Sequence, residues 1–273
     1  MKYKGLKLNK YLAAGLVITG FFLLLGIVGI FWTPYSTTEM SSAGRFMAPC
    51  AAHPMGTDNF GRDILSRVMS GLGMTVTVGV AVVLTSGAVG LVIGALTGYF
   101  GGIADEIIMR FNDALNSFPS ILMALVVVSL LGSGKYHVIL ALSIVFIPSF
   151  ARVVRSEYIR CKSYDYVTNA KLMGVKPLRI IFVHLLPQAA STFLVAVTIG
   201  FNNAILAEAG LSYLGIGVQP PDASLGKMLS DAQGYLFTAP WYALFPGMVI
   251  VIFVLGFSLL GEGIRRLGAD NIN

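Results

Sequence analysis

The chain has 273 residues, 56% of them hydrophobic and only 12% charged, with a mean hydropathy of +0.78. A soluble domain carries about 25% charged residues, so this balance excludes an ordinary water-soluble fold and marks an integral membrane protein. The net charge is +6, and the two cysteines, Cys50 and Cys161, lie far apart without metal-ligand spacing, which excludes a disulfide framework.

In chain order, Lys2, Lys4, Lys7 and Lys10 precede an apolar run from Tyr11 to Trp32. That run is longer than the about 7–15 residues of a signal-peptide core and long enough to cross a bilayer. Six apolar stretches reach or approach the roughly 20 residues that span about 30 Å of hydrocarbon. They are Leu12–Trp32, Met74–Phe100, Ala114–Leu131, Tyr136–Ala151, Leu185–Ala207 and Trp241–Leu260. The expected fold class is all-α and integral to the membrane, with six transmembrane helices. With the N-terminus inside, 14 of the 19 Lys and Arg fall on the inner side, leaving Arg45, Arg62, Arg67, Lys135 and Lys227 outside. This satisfies the positive-inside rule and predicts cytoplasmic N- and C-termini. It also sets Cys50 and Cys161 on opposite faces.

After the first span, Ile64, Leu65, Val68 and Met69 share one helix face, with Arg62, Asp63, Ser66 and Arg67 on the other. The pattern predicts a short helix over Asn59–Met69 along the outer interface, capped by Asp58 or Asn59. An outer unit, residues 1–73 (tail, first span and this segment), thus precedes a five-span core, residues 74–273. In the second span Ser86, Gly90, Gly94, Gly98 and Gly102 recur every four residues. A face without side chains lets a neighbouring helix approach, so Gly90, Gly94 and Gly98 are read as helix-packing positions.

The spans carry almost no ionisable groups. Asn202, Asn203 and Glu208 are the polar exceptions in the fifth, where they either line a solute path or bond neighbouring helices. Pro119, Pro148 and Pro187 fall near expected span ends, where a missing backbone donor is tolerated. Gln219-Pro220-Pro221-Asp222 then breaks the chain, Ser224–Tyr235 suits a short helix, and Trp241 and Tyr242 suit an interfacial aromatic belt.

The longest strongly polar passage is the inner loop at about 156–187. Ser163 or Asp165 can cap a helix through Tyr166–Met173, Gly174 supplies a left-handed stop, and Pro177 starts the next helix. Tyr166, Val167, Ala170 and Met173 cluster on one side. Two turns are too few to hold alone in water, so the helix must pack either in a groove on another protein or on its own chain.

The pattern Thr168-Asn169-Ala170, three residues, Gly174, nine residues, His184-Leu185-Leu186-Pro187 resembles the signature loop of ABC-importer permeases. Thr168 stands where that family has Glu, Asn169 where it has Ala, and His184 where it has Ile. The blocks His53–Arg67, Met109–Leu122, Leu206–Pro221 and Ala239–Arg265 are similar to those of the second permease of dipeptide, oligopeptide and nickel importers. The resemblance implies a type I ABC importer permease fold with a cytoplasmic coupling helix. It also implies a bacterial or archaeal cytoplasmic membrane. Implied partners are a homologous permease in a heterodimer, two ATP-binding subunits, an external solute-binding protein and membrane lipid, but no nucleic acid. ATP and Mg would sit on the partner subunits, with no cofactor on this chain. Tyr166, Val167, Thr168, Asn169, Ala170, Met173, Gly174 and Pro187 would form the ATPase-docking set. The solute would be a peptide, nickel or another chelated metal.

Rival patterns are weaker. Gly132-Ser133-Gly134-Lys135 lacks the upstream glycine, the following Ser or Thr and the strand–helix setting of a phosphate loop. His53, His137 and His184 are isolated, so no metal site is expected. Asp105, Glu106, Arg110 and Asp113 suit a solvated helix face rather than catalysis. An ion-coupled secondary transporter, the alternative, would need mid-membrane ionisable groups and often inverted repeats. An enzyme would need converging acid, base or nucleophile. Neither pattern is evident.

Overall fold

The computed structural model describes residues 9–42 and 44–270, and side chains for all but 267–270 of these. Lys2, Lys4 and Lys7 lie outside the described residues. Among those described there is no strand, only an isolated bridge between Thr57 and Asp63. The helices are α1 (Lys10–Phe31), α2 (Ile64–Phe100), α3 (Gly102–Asn116), α4 (Ser120–Leu131), α5 (Lys135–Lys162), α6 (Asp165–Leu172) and α7 (Pro177–Arg179). A π-helical stretch, Ile180–Leu185, leads into α8 (Leu186–Tyr213), followed by α9 (Leu225–Ala232) and α10 (Trp241–Asp270). Five helical segments are long and apolar enough to cross a membrane, and α3 with α4, bent by 90° at their break, form a sixth apolar passage as a broken span or a re-entrant loop.

Three boundaries differ from the sequence reading. The expected interfacial helix at Asn59–Met69 does not lie separately along a surface. Its residues from Ile64 onward are the opening turns of α2, which runs unbroken for 37 residues, about 55 Å at 1.5 Å per residue. Its N-cap is Asp63, not Asp58 or Asn59: the Asp63 carboxylate accepts from the Ser66 backbone N–H at 2.7 Å. Ser66 and Arg67, expected to face water, are buried beneath the preceding segment. The division at 73/74 therefore falls inside one continuous helix.

The third span breaks at Ser117-Phe118-Pro119. Pro119 disfavours the helical conformation at the residue before it and opens α4 as its N-cap. The fourth span runs on to Lys162, which leaves Pro148 inside α5 instead of near its end. Asn112 Nδ2 donates to the Pro148 carbonyl at 3.0 Å and so ties α3 to α5 there.

Loops collect at two ends. The described residues of segment 33–63 and the stretch 214–240 share one, here the cap end: Phe46 packs at a tilt against Tyr235 with ring centroids 4.7 Å apart. The α6 loop, the start of α1 and the end of α10 share the other, where Arg266 lies over the Tyr11 ring. The main apolar core joins α2, α5, α8 and α10 through Leu72, Val82, Leu142, Ile205 and Phe253, all buried. A second cluster at the α6 end joins Tyr99, Val154, Tyr158, Val167, Ile180 and Leu185.

The four-residue glycine stripe of α2 lies against α5. A Cβ on Gly90 would stand 2.5 Å from Phe150 Cβ, one on Gly94 2.8 Å from Val154 Cβ, and one on Gly98 2.8 Å from Tyr158 Cβ. All are closer than side-chain carbons approach, so the two backbones meet only because these side chains are missing.

Candidate functional site

The α6 loop is built from local rules. Tyr164 is the N-cap of α6, with no side-chain capping bond. Neither Ser163 nor Asp165 caps the helix: Ser163 Oγ turns back to donate to the Arg160 carbonyl at 2.8 Å. Gly174 ends the helix with φ +74°. Val175 N–H bonds Ala170 O at 3.1 Å and Gly174 N–H bonds Lys171 O at 3.0 Å, the paired bonds of a Schellman stop. Pro177, with φ pre-set and no N–H to lose, then opens α7.

The residues expected on one face of α6 divide between two. Val167 and Ala170 are buried in their own chain, against the cluster of Tyr99, Tyr158, Ile180 and Leu185. Tyr166, Thr168, Asn169 and Met173 are exposed, together with Leu172, which the helical spacing had not singled out. Leu172 is 82% and Met173 83% exposed, an apolar tip with no partner within the chain. Partial burial pushes the Tyr166 phenol up from its ordinary value, so it remains a neutral hydrogen-bonding group. Pro187 belongs with neither face. It sits in the first turn of α8, and since it cannot donate to the carbonyl four residues back, the helix passes this point as the π stretch Ile180–Leu185.

Two ties connect the loop to α2. Lys162 Nζ donates to the Tyr99 carbonyl, and Lys171 on α6 lies over the Tyr99 ring, 5.4 Å from its centre. Nearby, Arg155 makes a two-pronged pair with Asp105 at 2.6 and 2.7 Å, which holds α3 to α5. The acidic stretch after Gly102 is therefore partly an internal clamp.

The three polar residues of the fifth span also part company. Glu208 does not line a path. It is wholly buried and accepts from Thr75 Oγ1 at 2.8 Å, Ser212 Oγ at 2.7 Å and Ser224 Oγ at 2.9 Å. It thereby pins α2, α8 and the start of α9. Asn202 turns to α10, where its amide donates to Ser258 Oγ at 3.1 Å. Asn203 alone of the three lines a cavity, about 560 Å³ in volume, between the α3–α4 bend, α5 and α8.

The cap end holds a site that sequence reasoning passed over. Asp58 is fully buried. Its carboxylate accepts from the Phe60 and Arg62 backbone N–H groups at 2.8 and 2.9 Å and from Arg62 Nε at 2.6 Å, with Arg67 at 3.5 Å. His53 Nδ1 meets Asp63 at 2.9 Å. Tyr242 is buried, with its hydroxyl donating to Asn59 Oδ1 at 3.3 Å, so it packs under the cap instead of joining an interfacial belt. The available signal was Gly56 and Gly61, five residues apart and both at positive φ, bracketing an acidic residue in a tight turn.

Residues 90–269 match the family described as "Binding-protein-dependent transport system inner membrane component". The chain belongs to this family. It is 40% identical over 263 residues to the dipeptide transport system permease protein DppC of Alkalihalophilus pseudofirmus, covering 96% of this chain and 86% of that one. It is 39% identical over 254 residues to the glutathione transport system permease protein GsiD of Pectobacterium atrosepticum, covering 91% and 84%. It is 36% identical over 259 residues to the oligopeptide transport system permease protein OppC of Bacillus subtilis, covering 94% and 84%. Among solved structures it shares its fold with the inward-facing MetNI methionine ABC transporter, at TM-score 0.62 and 19% identity, covering 74% of this chain and 95% of that one.

As a member of this family, the chain is a multi-pass membrane permease subunit of an ABC importer. It is non-catalytic: ATP hydrolysis belongs to partner subunits. The ion-coupled carrier is not favoured. The matched region contains the glycine stripe, the α6 loop and the Asn203 cavity, whereas α1 and the Asp58 cap precede it.

Proposed function

We propose that this permease forms half of a channel for short peptides and that α6 is the element through which ATPase subunits move it. The observation that carries the reading is the divided face of α6. Val167 and Ala170 seat the helix on its own spans, while Leu172 and Met173 stand out as an unsatisfied apolar tip. Thr168, which stands where the resembling family has Glu, and Asn169 flank the tip with neutral polar groups, so docking rests on apolar burial. In this reading the α6 end is cytoplasmic, as the distribution of Lys and Arg favours. A homologous permease completes the channel, ATP and Mg are held by the two ATP-binding subunits, and a solute-binding protein delivers cargo at the cap end. The relatives named for dipeptide, oligopeptide and glutathione transport support a peptide over nickel as the cargo.

The test is Leu172→Asp combined with Met173→Asp in the assembled transporter. Both side chains already face outward, so the protein accumulates normally, while ATP-dependent peptide uptake falls at least tenfold. Wild-type uptake in this variant refutes α6 docking, and uptake of nickel but no peptide refutes the cargo assignment.

A further inference from the structure

Asn203 lines two cavities, the one described above and a second. The second is smaller, about 330 Å³, and is lined by Ser120, Ile121, Phe146, Asn203, Leu206 and Ala207. The larger extends toward the α6 end, past Val153 and Thr192. The two share three residues, Ser120, Phe146 and Asn203, contributed by α4, α5 and α8. Each lies 10 or 11 residues from the cap-side end of its helix, at Leu131, Lys135 or Tyr213. At 1.5 Å per residue this is roughly 15–17 Å, close to half of the about 30 Å hydrocarbon thickness. Three side chains from three helices therefore meet at one depth, near the middle of the bilayer, where one cavity gives way to the other.

Their chemistry argues against a lipid-facing surface. Asn203, Ser120 and nearby Ser149 are exposed in the isolated chain, and among the described residues none has a side-chain hydrogen bond within it. An unsatisfied amide turned to hydrocarbon at mid-depth costs several kcal/mol, so these groups require water, cargo or a polar partner. The larger cavity has no charged residue, and Asn116, Ser120, Ser149, Thr192 and Asn203 are its hydrogen-bonding positions. An Asn side chain both donates and accepts, as a peptide amide does.

We infer that Ser120, Phe146 and Asn203 are this subunit's half of the constriction in the translocation path, and that Asn203 hydrogen-bonds the backbone of the passing peptide. Phe146 supplies the apolar stop. With no charge at the constriction, the path does not discriminate cargo by the charge of its side chains. This rests on the peptide-importer reading above.

The experiment uses the complete transporter with its binding protein in membrane vesicles, with Cys50 and Cys161 replaced by Ser as the parent. Asn203→Cys and Ser120→Cys are exposed to a charged, membrane-impermeant thiol reagent, with Leu24→Cys, on the exposed face of α1, as the lipid-facing control. Both path variants react at least tenfold faster than the control, and modification abolishes uptake. Asn203→Leu, unmodified, lowers the maximal uptake rate for acidic, basic and neutral dipeptides alike by about tenfold, while Asn203→Gln retains most of it. A parent that imports peptide while Asn203→Cys reacts no faster than the control overturns the constriction and leaves the importer reading intact. Loss confined to one charge class of dipeptide overturns the backbone-binding role. A parent that hydrolyses ATP but imports no peptide overturns the importer reading itself.

Discussion

The cap and the α6 helix, at opposite ends of the molecule, are held in place by different means. At the cap end, buried polar and charged groups do the binding: Asp58 takes donors from Phe60 and Arg62 and pairs with Arg67, while Glu208 takes three hydroxyls from α2, α8 and the segment before α9. At the α6 end, the helix is seated by a few apolar side chains and one aromatic ring, and its outward face is bare. Directional bonds at close quarters fix one arrangement, because a displaced carboxylate loses its partners at once. Apolar contact is non-directional, so a helix seated that way can shift with its support and still remain seated. On the function proposed above, the difference suits a fixed receiving surface at one end and a lever at the other.

Substitutions at the two ends should separate these roles. The largest effect is expected for Asp58→Ala, which leaves the Arg67 guanidinium buried without its counter-ion; removing one partner of such a pair costs about 3–5 kcal/mol. The permease should fail to accumulate, and its thermal midpoint in detergent should collapse. Next is Gly94→Leu, between the ends. Its side chain would enter the contact with Val154, and overpacking costs about 1–3 kcal/mol, read as a lowered midpoint and loss of assembled complex. Glu208→Gln keeps the shape but turns a donor toward hydroxyls that themselves donate. A penalty of about 1–3 kcal/mol follows, with the cap loosened and proteolysis near Ser224 accelerated. Smallest in stability is the Leu172→Asp, Met173→Asp pair, within about 0.5 kcal/mol as for other exposed positions, even though uptake is lost. If the cap substitutions left stability unchanged, or the α6 pair unfolded the chain, the contrast between the ends would fail.

Much of the fold was legible because hydropathy is a local property. Six apolar stretches, the glycine stripe, the Gly174 stop and the Pro177 start are each encoded within a few residues. What escaped depended on contacts distant in sequence. Ser66 and Arg67 looked solvent-facing because nothing local shows that Tyr35 N–H and Thr37 O reach across to meet them. For Glu208 and Asn202 a solute path and a helix bond both stayed open, because an isolated polar group in a span does not reveal whether its partner is a channel or a neighbouring helix. Within α6, spacing correctly gathered Val167 with Ala170 but could not say which side the protein itself would cover. Ala170→Arg is therefore a poor probe of docking, since it disrupts the chain's own packing as well.

The length of α2 has a consequence for how force crosses the bilayer. Ser66, at its first turn, sits under the cap, and Tyr99, at its last, carries Lys171 of α6. One unbroken rod about 55 Å long joins them, so each degree by which its inner end is swung displaces the far tip by about 1 Å. On the orientation proposed above, a tilt imposed at the α6 end is thus carried straight to the cap, the surface proposed to receive the solute.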